Sequence, residues 1–179
     1  MTPIWYLMRG SGVVSLLLLT AVMALGIATA GRATLGSLPR FVTLALHRSV
    51  ALLSVVFVAI HIVTAVVDPY AAIGVVQVLV PLSAAKYPIP AGLGALSLDL
   101  VAALMVTSLL RGRIGPRVWR AVHWLAYLTW PVAFLHGITI GTDKSAAWMI
   151  GVDVLCAAVV AVAVGTRLLR PARSGLVAA

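Results

Sequence analysis

The sequence predicts an all-α integral membrane protein, a bundle of about five transmembrane helices plus a short interfacial helix. Composition is the first reason. Of 179 residues, 63% are hydrophobic and only 9% charged, against roughly 25% charged in soluble domains. The second is that apolar runs of the roughly 20 residues needed to cross a bilayer recur along the chain. The third is that the basic residues gather in short loops between those runs. Net charge is +9, from 13 Lys+Arg against 4 Asp+Glu. In a soluble protein that balance points to nucleic acid; here the positive-inside bias accounts for it, and the expected partner is the lipid bilayer. The length suits one membrane domain, residues 1–170, with a short cytoplasmic tail, 171–179.

The first run, from Gly12 to Ala30, ends in Ala28-Thr29-Ala30, which resembles a signal-peptidase site. Its n-region offers only Arg9, and Trp5 and Tyr6 have the character of an interfacial anchor, so an uncleaved helix is expected. The other spanning runs extend from Val42 to Val67, Ala91 to Leu110, Val118 to Ile140 and Ala146 to Arg167. A sixth stretch, Ala71 to Ala85, is short and contains Pro81. It reads as a helix lying in the interface or dipping into it.

Loop charges set the orientation. Arg32, Arg40 and Arg48 flank the first connection, Arg111, Arg113, Arg117 and Arg120 the third, and Arg167, Arg170 and Arg173 the C-terminal end. The other connections hold only Asp68 with Lys86, and Asp143 with Lys144. Five spans with the N-terminus outside and the C-terminus cytoplasmic place every arginine cluster inside.

Two of the runs carry all four histidines: His47 and His61 in one, His123 and His136 in the other. At about 1.5 Å rise per residue, each pair is separated by roughly 20 Å along its helix, most of a hydrocarbon core about 30 Å thick. Both helices run from inside to outside, so depth pairs His47 with His123 and His61 with His136. At about 100° per residue, His61 returns to within roughly 40° of His47, whereas His136 falls about 140° from His123. Pro131 lies between the last two and is expected to kink or rewind that helix.

Two imidazoles facing across a bundle are suited to hold a haem iron from both sides, and haem b fits a slot between apolar helices. A single intramembrane histidine is commonly a satisfied polar contact. Four in a two-by-two grid are another matter, because polar groups in lipid are costly and usually functional. Arg48 adjoins His47, Arg120 lies one turn before His123, and Arg9 sits near the outer face. Each is placed either to serve haem propionates or to snorkel to lipid phosphates. A mononuclear zinc site needs converging ligands, which histidines 20 Å apart do not supply. A proton relay wants carboxylates, for which only Asp99 and Asp153 offer themselves. Cys156, the sole cysteine, reads as packing, and Gly137 with Gly141 fits a small-residue helix contact.

With its paired motifs His47-x13-His61 and His123-x12-His136, the sequence resembles the ferric reductase-like transmembrane domain family. That family includes the membrane halves of NADPH oxidases and iron reductases, and the haem subunit of bacterial methionine-sulfoxide repair. Trp5 to Gly12, Arg120 to Leu128 and Leu135-His136-Gly137 support the likeness, which runs from about Trp5 to Arg167. The resemblance implies transmembrane electron transfer through two b haems, with His47, His61, His123 and His136 as axial ligands. It also implies one peripheral helix fewer than in six-helix members.

No dinucleotide-binding glycine pattern occurs. Reducing equivalents are therefore expected from a separate cytoplasmic flavin reductase, from a quinol, or from FAD or FMN at the arginine-rich inner face or on a partner. The leading expectation is electron flow from inside to an external acceptor: ferric iron, oxygen or a periplasmic partner. The rivals are a haem-bearing anchor or relay subunit without activity of its own, and a haem-free scaffold with histidines in helix contacts.

Overall fold

The computed structural model describes residues 2–30 and 39–169. Arg32, Arg170, Arg173 and the tail 171–179 lie outside the described residues. The described chain is helical: α1 (Pro3–Ala30), α2 (Arg40–Val67), α3 (Val75–Leu79), α4 (Pro88–Leu109), α5 (Arg111–His123), α6 (Ala126–Thr139) and α7 (Ala147–Leu168). Among them α1, α2, α4 and α7 are each long and apolar enough to cross a membrane. In lipid every backbone polar group must find its partner within the chain, and an unbroken helix achieves this alone.

The packing is inside out relative to a soluble bundle. Large aliphatic side chains such as Leu52, Val56, Val63, Val154 and Val162 are exposed on the outer surface. The interior takes small and hydroxylic residues, among them Ser11, Ser15, Thr20, Ser54, Thr64, Ala91, Ala95 and Thr129. Lipid offers helices no hydrophobic drive to associate, so small residues that let backbones approach take over that role. The buried hydroxyls are satisfied by their own helix: Ser15 donates to the Ser11 carbonyl, Thr20 to that of Leu16 and Thr64 to that of Ile60. Each such bond removes a polar cost without demanding a partner across the interface.

α1 is the central element, packed on α2, α6 and α7, while α4 packs on α6, α5 and α3. α1 and α2 are antiparallel: the start of α1 lies by the end of α2, as His61 bonds to Met8 and His47 to Val22. Trp130 of α6 donates its indole N–H to Thr20 of α1 at 2.9 Å. A small apolar cluster of Met23, Ile27 and Val160 closes the other end with Tyr127 and Trp130. α1 is thus an integral member of the bundle.

Two expectations change. The interfacial stretch Ala71 to Ala85 contains only the five-residue α3, followed by bends and turns. Pro81 limits any continuation, because it has no N–H to return to the helix. More consequentially, the expected single span from Val118 to Ile140 is divided: α5 ends at His123 and α6 begins at Ala126. Across the division Leu125 donates to Val122, Tyr127 to Trp124 and Leu128 to Leu125, all three residues back. Such tight winding adds roughly 20° per residue over the α-helix. The two residues between the helices, Trp124 and Leu125, wound this way would recover roughly 40° of the roughly 140° that separated His136 from the face of His123.

The rewinding thus lies before Pro131, which sits inside α6. Arg167, near the end of α7, holds it: its guanidinium donates to the Tyr127 hydroxyl and lies over the rings of Trp124 and Tyr127, at 5.4 and 5.5 Å.

The opposite end is tied by an ion pair between Arg9 of α1 and Asp143, in the α6–α7 connection, with side chains only 14% and 19% exposed. Arg9→Met and Asp143→Asn should each lower the thermal midpoint of the purified protein. The double variant should lose less than the two together, with a coupling on the order of 1–2 kcal/mol in the mutant cycle.

Candidate paired-histidine centre

The fold brings the four histidines together two by two, in the pairing that depth dictates. His47 of α2 faces His123 of α5, with ring centroids 6.4 Å apart and planes at 77°. His61 of α2 faces His136 of α6 at 6.3 Å and 74°. Two imidazole nitrogens bound to one metal from opposite sides at about 2 Å each, with ring centres about 1.1 Å behind them, put the centroids about 6.2 Å apart. Both pairs have that separation. Among the described residues no group of three or more His, Cys, Asp or Glu converges as a metal site, so the donor set is two imidazoles at each end.

Backbone carbonyls fix three of the four rings. His61 Nδ1 lies 2.8 Å from the carbonyl oxygen of Met8, His47 Nδ1 3.1 Å from that of Val22, and His136 Nδ1 2.7 Å from that of Pro90. A carbonyl can only accept, so each Nδ1 carries the proton and donates it. The lone pair of the neutral ring is then on Nε2. Metal-bound imidazoles ordinarily use this arrangement, in which the N–H bond fixes the tautomer and makes the free nitrogen more basic.

A glycine lies one turn beyond each accepting carbonyl, and the ring rests on it. A Cβ added at Gly12 would meet His61 at 3.0 Å, one at Gly26 His47 at 3.2 Å, and one at Gly94 His136 at 2.7 Å. The missing side chain creates the seat in which imidazole reaches helix backbone. These three glycines escape a residue-by-residue reading of the sequence. The signal was present: Gly12 and Gly26 are 14 residues apart, the spacing of His61 and His47 on the antiparallel neighbour.

His123 is held differently. Its ring stacks on Trp119 at 4.8 Å and 24°, and Arg111 lies over that indole at 5.5 Å. Its Nδ1 is buried with no hydrogen-bond partner. Aromatic stacking fixes the plane of the ring but leaves the tautomer free.

The His61–His136 end opens into a cavity of ≈ 320 Å³, walled by residues of α1, α2, α4 and α6 and lined at its mouth by Arg9, Tyr70, Lys86, Tyr87 and Lys144. The arginines singled out from sequence divide. Arg9 lines this cavity but is paired with Asp143. Arg48 and Arg120 are exposed at the His47–His123 end. Cys156 is fully buried, as packing requires, and Asp153 is 8% exposed with Oδ1 unpartnered.

The donor chemistry and the ring separation fit a haem at each pair, and at His61–His136 the cavity and the glycine seats of both rings add to that fit. His47 and His123 would hold one, His61 and His136 the other. A model of the family described as ferric reductase like transmembrane component matches residues 11–134. The match takes in His47, His61 and His123 and stops short of His136, whose place comes from the geometry. No curated protein and no solved structure matches the chain.

Gly94→Ala pushes a methyl into the His136 ring, so it should lower haem content by about one per chain, with the loss confined to the His61–His136 site. Gly26→Ala should perturb the His47–His123 site instead. Site-resolved spectra of the two variants check this; equal effects on both sites would refute the seat assignment.

Proposed function

The chain belongs to the ferric reductase-like transmembrane family, and from that premise we propose that it carries electrons across the cytoplasmic membrane, from inside to outside. His47 with His123 holds an inner haem b in this reading, and His61 with His136 an outer one. The observation that carries it is the pair of matched ring separations, 6.4 and 6.3 Å, at opposite ends of one bundle. Each separation also lies within the range of an edge-to-face ring contact, and what favours ligation is its recurrence in two pairs whose rings are anchored by backbone carbonyls at both ends of the bundle. Bound haem b supplies one-electron chemistry, and the protein's part is ligation, depth and electrostatics.

The chain's own residues perform four tasks. Met8, Val22 and Pro90 present carbonyls that hold three imidazoles in the ligating tautomer. Gly12, Gly26 and Gly94 admit the rings to those carbonyls. α1, α2, α4 and α6 wall the outer slot with mainly apolar side chains that exclude water. The two ends also differ in charge. Arg40, Arg48, Arg111, Arg113, Arg117, Arg120 and Arg167 lie at the His47–His123 end, which the positive-inside bias makes cytoplasmic.

The exposed arginines of α5 also favour a second version, in which the chain is a relay subunit. They offer an acidic flavin reductase a docking face beside the inner pair. FAD or FMN at that face, or a quinol, would serve the same end. On the other side the acceptor is ferric iron, oxygen or a periplasmic redox partner, to which a haem held by His61 and His136 would supply one-electron reduction.

The purified chain should give a reduced-minus-oxidised spectrum of two low-spin b haems per chain. His61→Ala or His136→Ala should reduce this to one, and an unchanged haem content in either variant would overturn the assignment. In proteoliposomes loaded with a trapped reductant, the intact chain should reduce external ferricyanide, and His123→Ala should abolish that transfer. Transfer by the chain alone marks a complete conduit; transfer only after adding a soluble flavin reductase marks the relay subunit.

A further inference from the structure

The outer cavity carries two positive charges that the ligation of haem iron does not explain. Lys86 and Lys144 both line its mouth. They lie at the end of the bundle away from the arginine clusters, where the positive-inside bias disfavours cations. Arg9 lines the same cavity, but its charge is answered by Asp143 in the only ion pair among the described residues. Neither lysine has a carboxylate partner there.

Lys86 is moreover positioned. Its ammonium lies 5.4 Å from the centroid of Tyr70 and 5.4 Å from that of Tyr87, each contact adding cation–π attraction. Asp68, 2% exposed, accepts the Tyr70 backbone N–H at 3.1 Å and so fixes the turn that presents that ring. Tyr87 has a left-handed backbone, φ 54°. A non-glycine residue held there implies a local structure that over-determines it.

We propose that Lys86 and Lys144 form a carboxylate-binding rim over the His61–His136 cavity, with Tyr70 and Tyr87 positioning Lys86. The inference rests on the reading of this cavity as the outer haem site. An apolar slot with two unanswered ammonium groups at its mouth suits a ligand with an apolar body and carboxylates along one edge, or a carboxylate-bearing ligand arriving from outside. Two sources supply that chemistry: the propionates of the haem in the slot, or a carboxylate chelate of ferric iron serving as acceptor.

Lys86→Gln, Lys144→Gln and the double variant, prepared as holoprotein, test the rim and separate the sources. Three readouts apply: haem per chain, an optical redox titration of both haems, and steady-state reduction of ferric citrate beside a cationic ruthenium hexaammine acceptor. If the rim holds propionates, the outer haem is lost or its midpoint potential falls. Removing a nearby positive charge favours the oxidised iron, and the inner haem stays unchanged. If it holds the acceptor, haem content and potentials stay as in the parent protein. KM for ferric citrate then rises roughly tenfold and loses its salt dependence, as electrostatic recruitment predicts, while KM for the cationic acceptor does not rise.

Two haems per chain with unchanged potentials and unchanged ferric citrate kinetics in the double variant would overturn the rim and leave the haem reading standing. A parent protein without haem, given ample supply, would overturn the haem reading itself. The rim would still be testable on that protein by ferric citrate binding, and a double variant that bound it as well as the parent would overturn the rim too.

Discussion

The hydrogen bond from a histidine Nδ1–H to a carbonyl on the next helix is the constraint on which the rest of the structure depends. Intrahelical carbonyls are already engaged, so a ring that reaches one must come in over the helix surface as a second donor. Only a glycine one turn on leaves room for that approach, and Gly12, Gly26 and Gly94 provide it. From this follow the close contact of α1 with α2, the approach of α4 to α6, and the direction in which three imidazoles point. Helix packing and ligand orientation are therefore one problem here, solved by the same atoms.

The interior is correspondingly poor in large side chains. A bundle of membrane helices needs its bulk outside, facing lipid, and its small residues where backbones meet. Leu52, Val63 and Val162 on the surface, with Ser15, Thr20 and Ala95 within, show that distribution. Hydroxyls that bond to their own helix let polar side chains occupy the interior without dictating neighbours. Directional interactions are thereby reserved for the places that need them: the histidine anchors, the Trp130–Thr20 bond, and the charged ties at Arg9 and Arg167.

Much of this was legible in the sequence. Apolar run lengths located α1, α2, α4 and α7, and histidine depth gave the pairing of rings that the fold brings together. The division after His123 was not legible, because its cause is tertiary. Trp124 and Tyr127, at the tight winding, are contacted by Arg167 from a helix forty residues on, a neighbour that the local sequence does not reveal. Pro131 was a reasonable suspect on local grounds, yet the rewinding begins upstream of it. The length of α3 was likewise set by turns around it rather than by its apolar content. The glycine seats escaped notice because a glycine in a membrane helix is common, and only its partner across the interface makes it specific. The lysine rim was hidden for the same reason, since Lys86 and Lys144 come from different loops.

The equal spacing of Gly12 with Gly26 and His47 with His61 has a consequence for how this hairpin can change. Fourteen residues are two heptads, the interval over which a left-handed coiled seam returns to itself, whereas a straight α-helix drifts by about 20° per heptad. α1 and α2 pack antiparallel with two histidine–glycine rungs set two heptads apart. A single residue inserted into either helix between the rungs turns one seat away by about 100° while leaving the other intact. The spacing of the two seats can therefore change only by matched changes of whole heptads in α1 and α2, and the partner rings on α5 and α6 would have to follow.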